Sequence, residues 1–153
     1  MERMILDHVG IAVRSLERSI PHWRTVFGYR QATEIVTNTR QRVQVVFLEQ
    51  EGSLPVKLIE PTDESSPVHA FTQRGGGLHH LCFRAASVDA ELARLQALGL
   101  RVIAPPQPGE AFGDAPIAFI YAGDGLNIEL IDTLERAGRL PAGTAPSEAP
   151  ETR

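Results

Sequence analysis

The sequence predicts an α+β fold made of two βαβββ modules whose curved mixed sheets enclose a common cavity. In each half, a strand signal is followed by an amphipathic helix signal and then by three more strand signals. Similar segments recur at a spacing of 72 residues, at three matched pairs: His8 and His80, Lys57 and Glu129, Phe47 and Phe119. A fixed spacing of this kind indicates two copies of one supersecondary unit. The length of 153 residues suits a single domain.

The first module is predicted over residues 5–61. It opens with the strand signal ILDHVGIAV, and the segment SLERSIPHWRTVFG then predicts a helix. Ser15 is the expected N-cap of this helix and Gly28 its end. The strand signals QATEIVT, RVQVVFLE and PVKLIE complete the module.

The second module is predicted over residues 77–132, with GLHHLCFRA as its first strand and SVDAELARLQALGL as its helix. Its remaining strand signals are RVIAPP, PIAFIYA and LNIELIDT, and residues 105–116, PPQPGEAFGDAP, are expected to form a long loop near the site. The two modules make one domain over residues 1–134. Residues 135–153 are rich in Pro, Ala, Gly and charge, so we expect a disordered or loosely docked tail.

Composition restricts the classes of partner. The chain has a formal net charge of −4 and no run of basic residues, so neither nucleic acid nor an anionic membrane surface is expected. Cys82 is the single cysteine, which excludes a disulfide framework within the chain. The N-terminus lacks a signal-peptide pattern and no apolar run approaches membrane-spanning length. We therefore expect a cytoplasmic protein with a small-molecule partner.

Two adjacent histidines begin the first strand of the second module. Neighbouring side chains on a strand point to opposite faces, so only one of the two can face the cavity. His80 is the repeat equivalent of His8, whereas His79 matches Asp7. We therefore place His8 and His80 on the inner face, and His79 at a solvent-facing or strand-end position.

The inner positions of the two modules should converge. Two imidazoles and a carboxylate, from His8, His80 and Glu129, would suit a divalent metal such as Ni, Co, Zn, Fe or Mn. Open metal positions could polarise a substrate oxygen. In the alternative arrangement, Lys57 is the cation that the buried Glu129 needs, and a salt bridge between them closes a metal-free site.

The segments DHVGIAV, IEPTDESSPVHAF, RGGGLHHLCF and NIELID resemble the vicinal oxygen chelate superfamily, and most closely its methylmalonyl-CoA epimerases. The resemblance spans residues 5–132. It implies one metal ligand on each of four strands, and by position these are His8, Lys57, His80 and Glu129. It also implies a homodimer, which agrees with sheet edges that need pairing.

Two positions depart from the pattern of that family. Lys57 stands where the family has Glu or Gln, and an ammonium cannot bind a metal. The resemblance places a second acid/base carboxylate on the strand RVQVVF, where we assign the position to Gln44. An amide cannot shuttle a proton at neutral pH. The candidate catalytic residues are therefore Glu129, Lys57 and Gln44, and classical methylmalonyl-CoA epimerase activity is not expected.

The resemblance favours an enzyme: a metal-assisted isomerase, epimerase or lyase for a small carbonyl or acyl substrate, including CoA thioesters. The reaction would pass through an enolate-like intermediate. The alternative is a non-catalytic small-molecule-binding or resistance protein, in which the Lys57–Glu129 salt bridge closes a metal-free site. A dioxygenase-type redox enzyme is a third class, which we rank last.

Overall fold

The computed structural model describes residues 3–141. Its elements, in chain order, are β1 (Ile5–Ala12), α1 (Leu16–Phe27), β2 (Arg30–Gln31), β3 (Val36–Asn38), β4 (Val43–Glu49), β5 (Val56–Pro61), α2 (His69–Gln73), β6 (Gly77–Arg84), α3 (Val88–Ala97), β7 (Arg101–Gly109), a 3-10 turn (Glu110–Phe112), β8 (Ala115–Tyr121) and β9 (Asn127–Ile131).

One mixed sheet joins both modules. Its nine strands, counted over residues 3–141, run in the order β2-β4-β5-β1-β6-β9-β8-β7, with β3 paired to β4. The modules meet at β1 and β6, which are antiparallel. On either side of this junction β1 is parallel to β5, and β6 is parallel to β9. The predicted α+β class with two repeated modules is confirmed, and the four strands that carry the site residues are neighbours at the centre of the sheet.

Both helices begin as their sequences predict. The Ser15 hydroxyl accepts a hydrogen bond from the backbone N–H of Arg18, and the Ser87 hydroxyl accepts one from Ala90. Gly28 ends α1 in the left-handed conformation, with φ 79°. Each helix packs on its own module: Leu16 of α1 belongs to one buried cluster with β4 and β5, whereas α3 belongs to another with β8 and β9.

A third buried cluster lies between the modules and supports the site. It combines side chains from β4 and β5 of the first module with others from β6, β8, β9 and the 3-10 turn of the second. Its members include Phe47 and Phe112, which are almost completely buried. The repeat predicted that the inner faces of the two modules would meet. They do, and the buried cluster that they form surrounds the site.

The expected loop over residues 105–116 is largely a strand. β7 continues to Gly109, and residues 110–112 form the 3-10 turn. The β7–β8 register is irregular between Ala104 and Gln107, where Pro105 and Pro106 lie. Proline cannot donate a ladder hydrogen bond, so it is tolerated at an edge strand or a bulge. The two successive prolines led us to predict a loop, but the edge strand continues past them to Gly109.

The first part of the expected tail is docked on the protein. The backbone N–H of Leu140 donates to the Ala32 carbonyl at 2.9 Å, and that of Glu34 donates to Gly138 at 2.8 Å. Composition left disorder and loose docking both open, because it does not register backbone pairing of this kind, and these residues are docked. The rest of the expected tail, residues 142–153, lies outside the described residues. No helix in residues 3–141 is long and apolar enough to cross a membrane.

Candidate active site

The structure brings together four of the five predicted site residues. The four adjacent central strands each contribute one side chain, from His8 on β1, Lys57 on β5, His80 on β6 and Glu129 on β9. All four are buried, the most accessible being Lys57 at 3%. Polar groups buried to this degree need partners within the protein, and Lys57 and Glu129 are partners of each other.

Glu129 is the centre of the cluster. Lys57 Nζ donates to its Oε1 at 3.1 Å and to its Oε2 at 3.0 Å. Nε2 of His8 lies 3.1 Å from Oε1, and Nε2 of His80 lies 3.5 Å from the same oxygen. Both contacts are close approaches that do not meet the geometry of a hydrogen bond. The Lys57–Glu129 ion pair weighed as an alternative is present.

Burial and pairing oppose each other at Glu129. Burial alone would raise its pKa, but the charge of Lys57 and the neighbouring His80 hold the pKa well below its usual range. Glu129 is therefore a carboxylate at neutral pH, and its proton affinity depends on the position of the Lys57 ammonium.

His8 is held by a second carboxylate. Its Nδ1 lies 2.7 Å from Asp7 Oδ1, and Asp7 also accepts hydrogen bonds from Arg84 and Arg136. Burial would raise the pKa of Asp7, but its hydrogen bond to His8 and the charge of Arg136 lower it below the usual range. Asp7 therefore stays ionised and orients the His8 ring through Nδ1.

His80 is held differently. Burial lowers its pKa to about 3, so the ring is neutral at physiological pH. Its Nδ1 lies 2.8 Å from Nδ1 of His79, and one ring donates to the other. Gly10 makes room for this ring, because a Cβ there would lie 2.2 Å from His80 Cε1. The fixed, uncharged imidazole borders the cavity.

The cluster opens onto a cavity of about 410 Å³. Most of its wall is apolar, with side chains from both modules: Val43, Val45, Ile59, Pro67, Val68, Ile103, Ala104, Ile117 and Phe119. Among the described residues, the charged side chains of this wall are Lys57 and Glu129, which are paired with each other. Such a site suits an apolar group attached to one polar reacting centre.

The predicted role of Gln44 needs correction. Val43 and Val45 line the cavity, whereas Gln44 does not. It pairs across the ladder with Glu60, and Val45 pairs with Ile59, so strand alternation turns Gln44 to the opposite face. The family resemblance led us to assign Gln44 to the cavity. The residues of β4 that face the cavity are its two neighbours in the sequence, Val43 and Val45, and both are apolar.

Sequence analysis also missed three polar residues that support the site. Asp7 is 8% exposed rather than solvent-facing, and His79 lines the cavity instead of facing solvent. Arg136 lies in the expected tail, yet its side chain is only 6% exposed. An acidic residue inside the mostly apolar strand ILDHVGIA was the available signal for Asp7, whereas nothing in the local sequence indicated Arg136.

The predicted metal-ligand set is present as a cluster, since the ligand atoms of His8, His80 and Glu129 all lie within 4.8 Å of one another. Two imidazoles and a carboxylate are suitable ligand types. Both Glu129 oxygens, however, already accept hydrogen bonds from Lys57. With that ammonium in place the site does not fit a divalent cation. A second group, of Asp7, His8 and Cys82, is equally close, but burial raises the pKa of the Cys82 thiol, which therefore stays protonated.

Comparison with known proteins places this chain in a family. Residues 7–119 match the model of the glyoxalase/bleomycin resistance protein/dioxygenase superfamily. The chain belongs to this superfamily. Mouse mitochondrial methylmalonyl-CoA epimerase is 31% identical over 129 residues, which cover 82% of this chain and 71% of that protein. The resemblance recognised in the sequence is thus confirmed.

Solved structures agree with this placement. Methylmalonyl-CoA epimerase from Mycobacterium tuberculosis superposes with a TM-score of 0.74 at 33% identity, covering 83% of this chain and 86% of that one. A methylmalonyl-CoA epimerase in complex with methylmalonyl-CoA and NH4+ gives a TM-score of 0.76 at 28% identity, covering 92% of this chain and 100% of that one.

Proposed function

We propose that the protein is an isomerase that moves a proton at the carbon next to the carbonyl of an acyl-CoA, through an enolate-like intermediate. The observation that carries this proposal is the buried cluster of a carboxylate, an ammonium and two imidazoles at the wall of an apolar cavity. The relatives named as methylmalonyl-CoA epimerases support a CoA thioester as substrate.

Two residues carry the reaction in this proposal. Lys57 donates to the thioester oxygen and stabilises the negative charge that develops there, an effect that is strong in a dry site. Glu129 takes the proton from the neighbouring carbon. When Lys57 turns toward the substrate oxygen, its positive charge moves away from Glu129, and that charge is a main cause of the low pKa of the carboxylate. Substrate binding thereby raises the basicity of Glu129 at the moment when a base is needed.

The cavity walls favour substrates with apolar substituents. Its one cationic side chain among the described residues, Lys57, is already paired with Glu129. A free carboxylate on the acyl group of the substrate, as in methylmalonyl-CoA, would therefore be buried without a partner. We expect a branched acyl-CoA without a free carboxylate to be a better substrate than methylmalonyl-CoA.

Deuterium exchange at the α-carbon tests the proposal. Wild type is incubated in D2O with isobutyryl-CoA, 2-methylbutyryl-CoA and methylmalonyl-CoA, and label is measured by mass spectrometry. We expect exchange that Glu129→Gln abolishes and that Gln44→Leu, on the opposite face of β4, leaves unchanged. Analysis of the products also separates isomerisation from a lyase reaction, which would release a smaller acyl product. Absence of exchange with every thioester would reject the proposal.

Stereochemical inversion should be slower than exchange. Inversion needs a proton removed from one face of the carbon and delivered to the other, and β4 presents only apolar residues to the cavity. Val45→Glu adds a carboxylate to that wall, so it should raise the ratio of inversion to exchange. Gln44→Glu is the matched control and should leave the ratio unchanged, because that residue faces away. Equal ratios in the two variants would contradict this assignment.

A second candidate function is non-catalytic binding of a small apolar molecule. It is favoured by the Lys57–Glu129 ion pair, which satisfies both charges without any substrate. A protein of this kind would bind the same acyl-CoA esters, as measured by calorimetry, without exchanging their α-proton.

We also propose that the chain forms a homodimer, because the edge strands of its sheet need pairing or cover. Light scattering at micromolar concentration tests this, and a monomeric mass would contradict it. A cytoplasmic location is likewise proposed, and cell fractionation would test it.

A further inference from the structure

We propose that Lys57 is a resident cation that replaces a divalent metal at this site, so that the protein works without one. The catalytic part of this inference rests on the proposed function. The exclusion of metal does not, because it depends only on the positions and charges of the buried groups.

The Lys57 ammonium lies against the Glu129 carboxylate, in the place that a metal ion bound to Glu129 would occupy. Its Nζ contacts both oxygens of Glu129, at 3.1 and 3.0 Å. The same atom lies 5.1 Å from the ring centroid of Phe112 and 5.9 Å from that of Phe47, distances at which an ammonium is attracted to an aromatic face. With a residue exposure of 3%, Lys57 is almost completely buried.

The charge of the whole network opposes a further cation. Three cationic side chains, those of Lys57, Arg84 and Arg136, contact the two carboxylates of Asp7 and Glu129. Counted over these groups, the site is already net positive. A divalent ion at Glu129 would lie beside the ammonium in a low-dielectric interior, where repulsion between like charges is strong.

An ammonium can also serve the substrate. It has three N–H donors, and in this structure Glu129 accepts hydrogen bonds through both of its oxygens. The third N–H can make the first contact with a thioester oxygen, and Lys57 then turns from Glu129 toward that oxygen, as the proposed reaction requires. The solved complex that contains methylmalonyl-CoA together with NH4+ supports the idea that a small ammonium ion is compatible with an acyl-CoA in this fold.

Metal binding by four untagged proteins tests the inference. Wild type, Lys57→Gln, Lys57→Met and the double variant His80→Ala/Lys57→Gln are dialysed separately against Ni²⁺, Co²⁺ and Zn²⁺, and bound metal is measured by elemental analysis. We expect no stoichiometric metal in wild type and stoichiometric metal in Lys57→Gln. The double variant should lose it again, because a ligand is missing.

Lys57→Gln both removes the positive charge and adds an amide oxygen that can bind a metal. Lys57→Met only removes the charge, so comparison of the two variants separates these effects. The Met variant should bind metal more tightly than wild type and less tightly than Lys57→Gln, and it also serves if the Gln variant fails to fold. Stoichiometric metal in wild type would overturn the inference. So would a folded Lys57 variant that stays metal-free, because Lys57 would then not be the excluding group.

The activity arm uses α-proton exchange by wild type with and without EDTA. Exchange that EDTA leaves unchanged supports a metal-free reaction, and exchange that EDTA abolishes overturns it. If no thioester exchanges but the metal pattern is as expected, the proposed function fails, while the exclusion of metal by Lys57 stands.

Discussion

The two modules share one backbone plan but supply opposite halves of the site. At the equivalent positions of β5 and β9, the first module supplies the ammonium of Lys57 and the second the carboxylate of Glu129. The two imidazoles also differ, since His8 lies beside ionised Asp7 whereas neutral His80 lies beside His79. The duplicated fold brings equivalent positions together, and divergence of their side chains then creates a complementary pair.

Removing one partner of the Lys57–Glu129 ion pair should have the largest effect on the free energy of unfolding. Glu129→Leu leaves Lys57 buried without a counter-charge, and breaking such a pair costs about 3–5 kcal/mol. We expect the free energy of unfolding, measured in urea, to fall by that amount. The double variant Lys57→Met/Glu129→Leu should lose less than Glu129→Leu alone, because neither charge remains. A double variant less stable than the single one would show that the charges are not coupled.

The contrast between the histidines should appear in acid. The pKa of His80 is about 3 in the folded protein and its ordinary value is 6.5, so the unfolded chain binds an extra proton between these values. Stability from this group is complete above pH 6.5 and is lost as pH falls, at up to about 1.4 kcal/mol per pH unit. His80→Gln should have a shallower dependence between pH 6 and 4, measured by urea unfolding. Equal slopes in both proteins would contradict the neutral buried ring.

Gly10 and Cys82 are equivalent positions beside the two rings, and they should differ in tolerance. Gly10→Ala puts a Cβ 2.2 Å from His80 Cε1, and overpacking of this kind costs about 1–3 kcal/mol. It should also displace His80 and reduce α-proton exchange. Cys82→Ala, the matched variant, removes an atom beside His8 instead of adding one, and should retain exchange. A Gly10→Ala protein with wild-type stability and exchange would show that His80 has room to move.

Much of this architecture was predictable from the sequence because it depends on patterns. The 72-residue spacing placed His8, His80, Lys57 and Glu129 together, since equivalent positions of a repeated unit occupy equivalent places. The face of a single strand was harder to assign. Gln44 was assigned to the cavity from the family resemblance, and only the ladder register reveals that Val45 has that place.

Long-range docking was beyond sequence reasoning altogether. Arg136 follows the last strand in a segment whose composition resembles a disordered tail, yet it contacts Asp7, which is 129 residues away. Nothing local marks such a contact, because composition does not reveal where a chain returns to the fold. The same segment reaches the first module, so the end of the second module completes the surroundings of His8.

Arg136 provides the smallest and most specific contrast between the surroundings of the two histidines. It supports Asp7 beside His8, and within residues 3–141 no arginine takes the same place beside His80. Its guanidinium lies 4.5 Å from the ring centroid of Phe47, and its charge is one of the causes that lower the pKa of Asp7. Arg136→Leu keeps an apolar group against the ring but removes that charge. Arg84 remains, so we expect a loss of about 1 kcal/mol at neutral pH.

The pH dependence gives this prediction its specific signature. A carboxyl whose folded pKa is depressed contributes stability that is present above its unfolded pKa and lost as pH falls through the folded value. The ordinary value for Asp7 is 3.8. Wild type should therefore retain this contribution to a lower pH than Arg136→Leu, and the difference between their melting temperatures should shrink as pH falls below 3.8. Arg136→Lys, which keeps the charge, should follow wild type. A difference that stays constant from pH 7 to pH 3 would mean that Arg136 stabilises the fold by packing on Phe47, and that Asp7 is kept ionised by His8 and Arg84 without it.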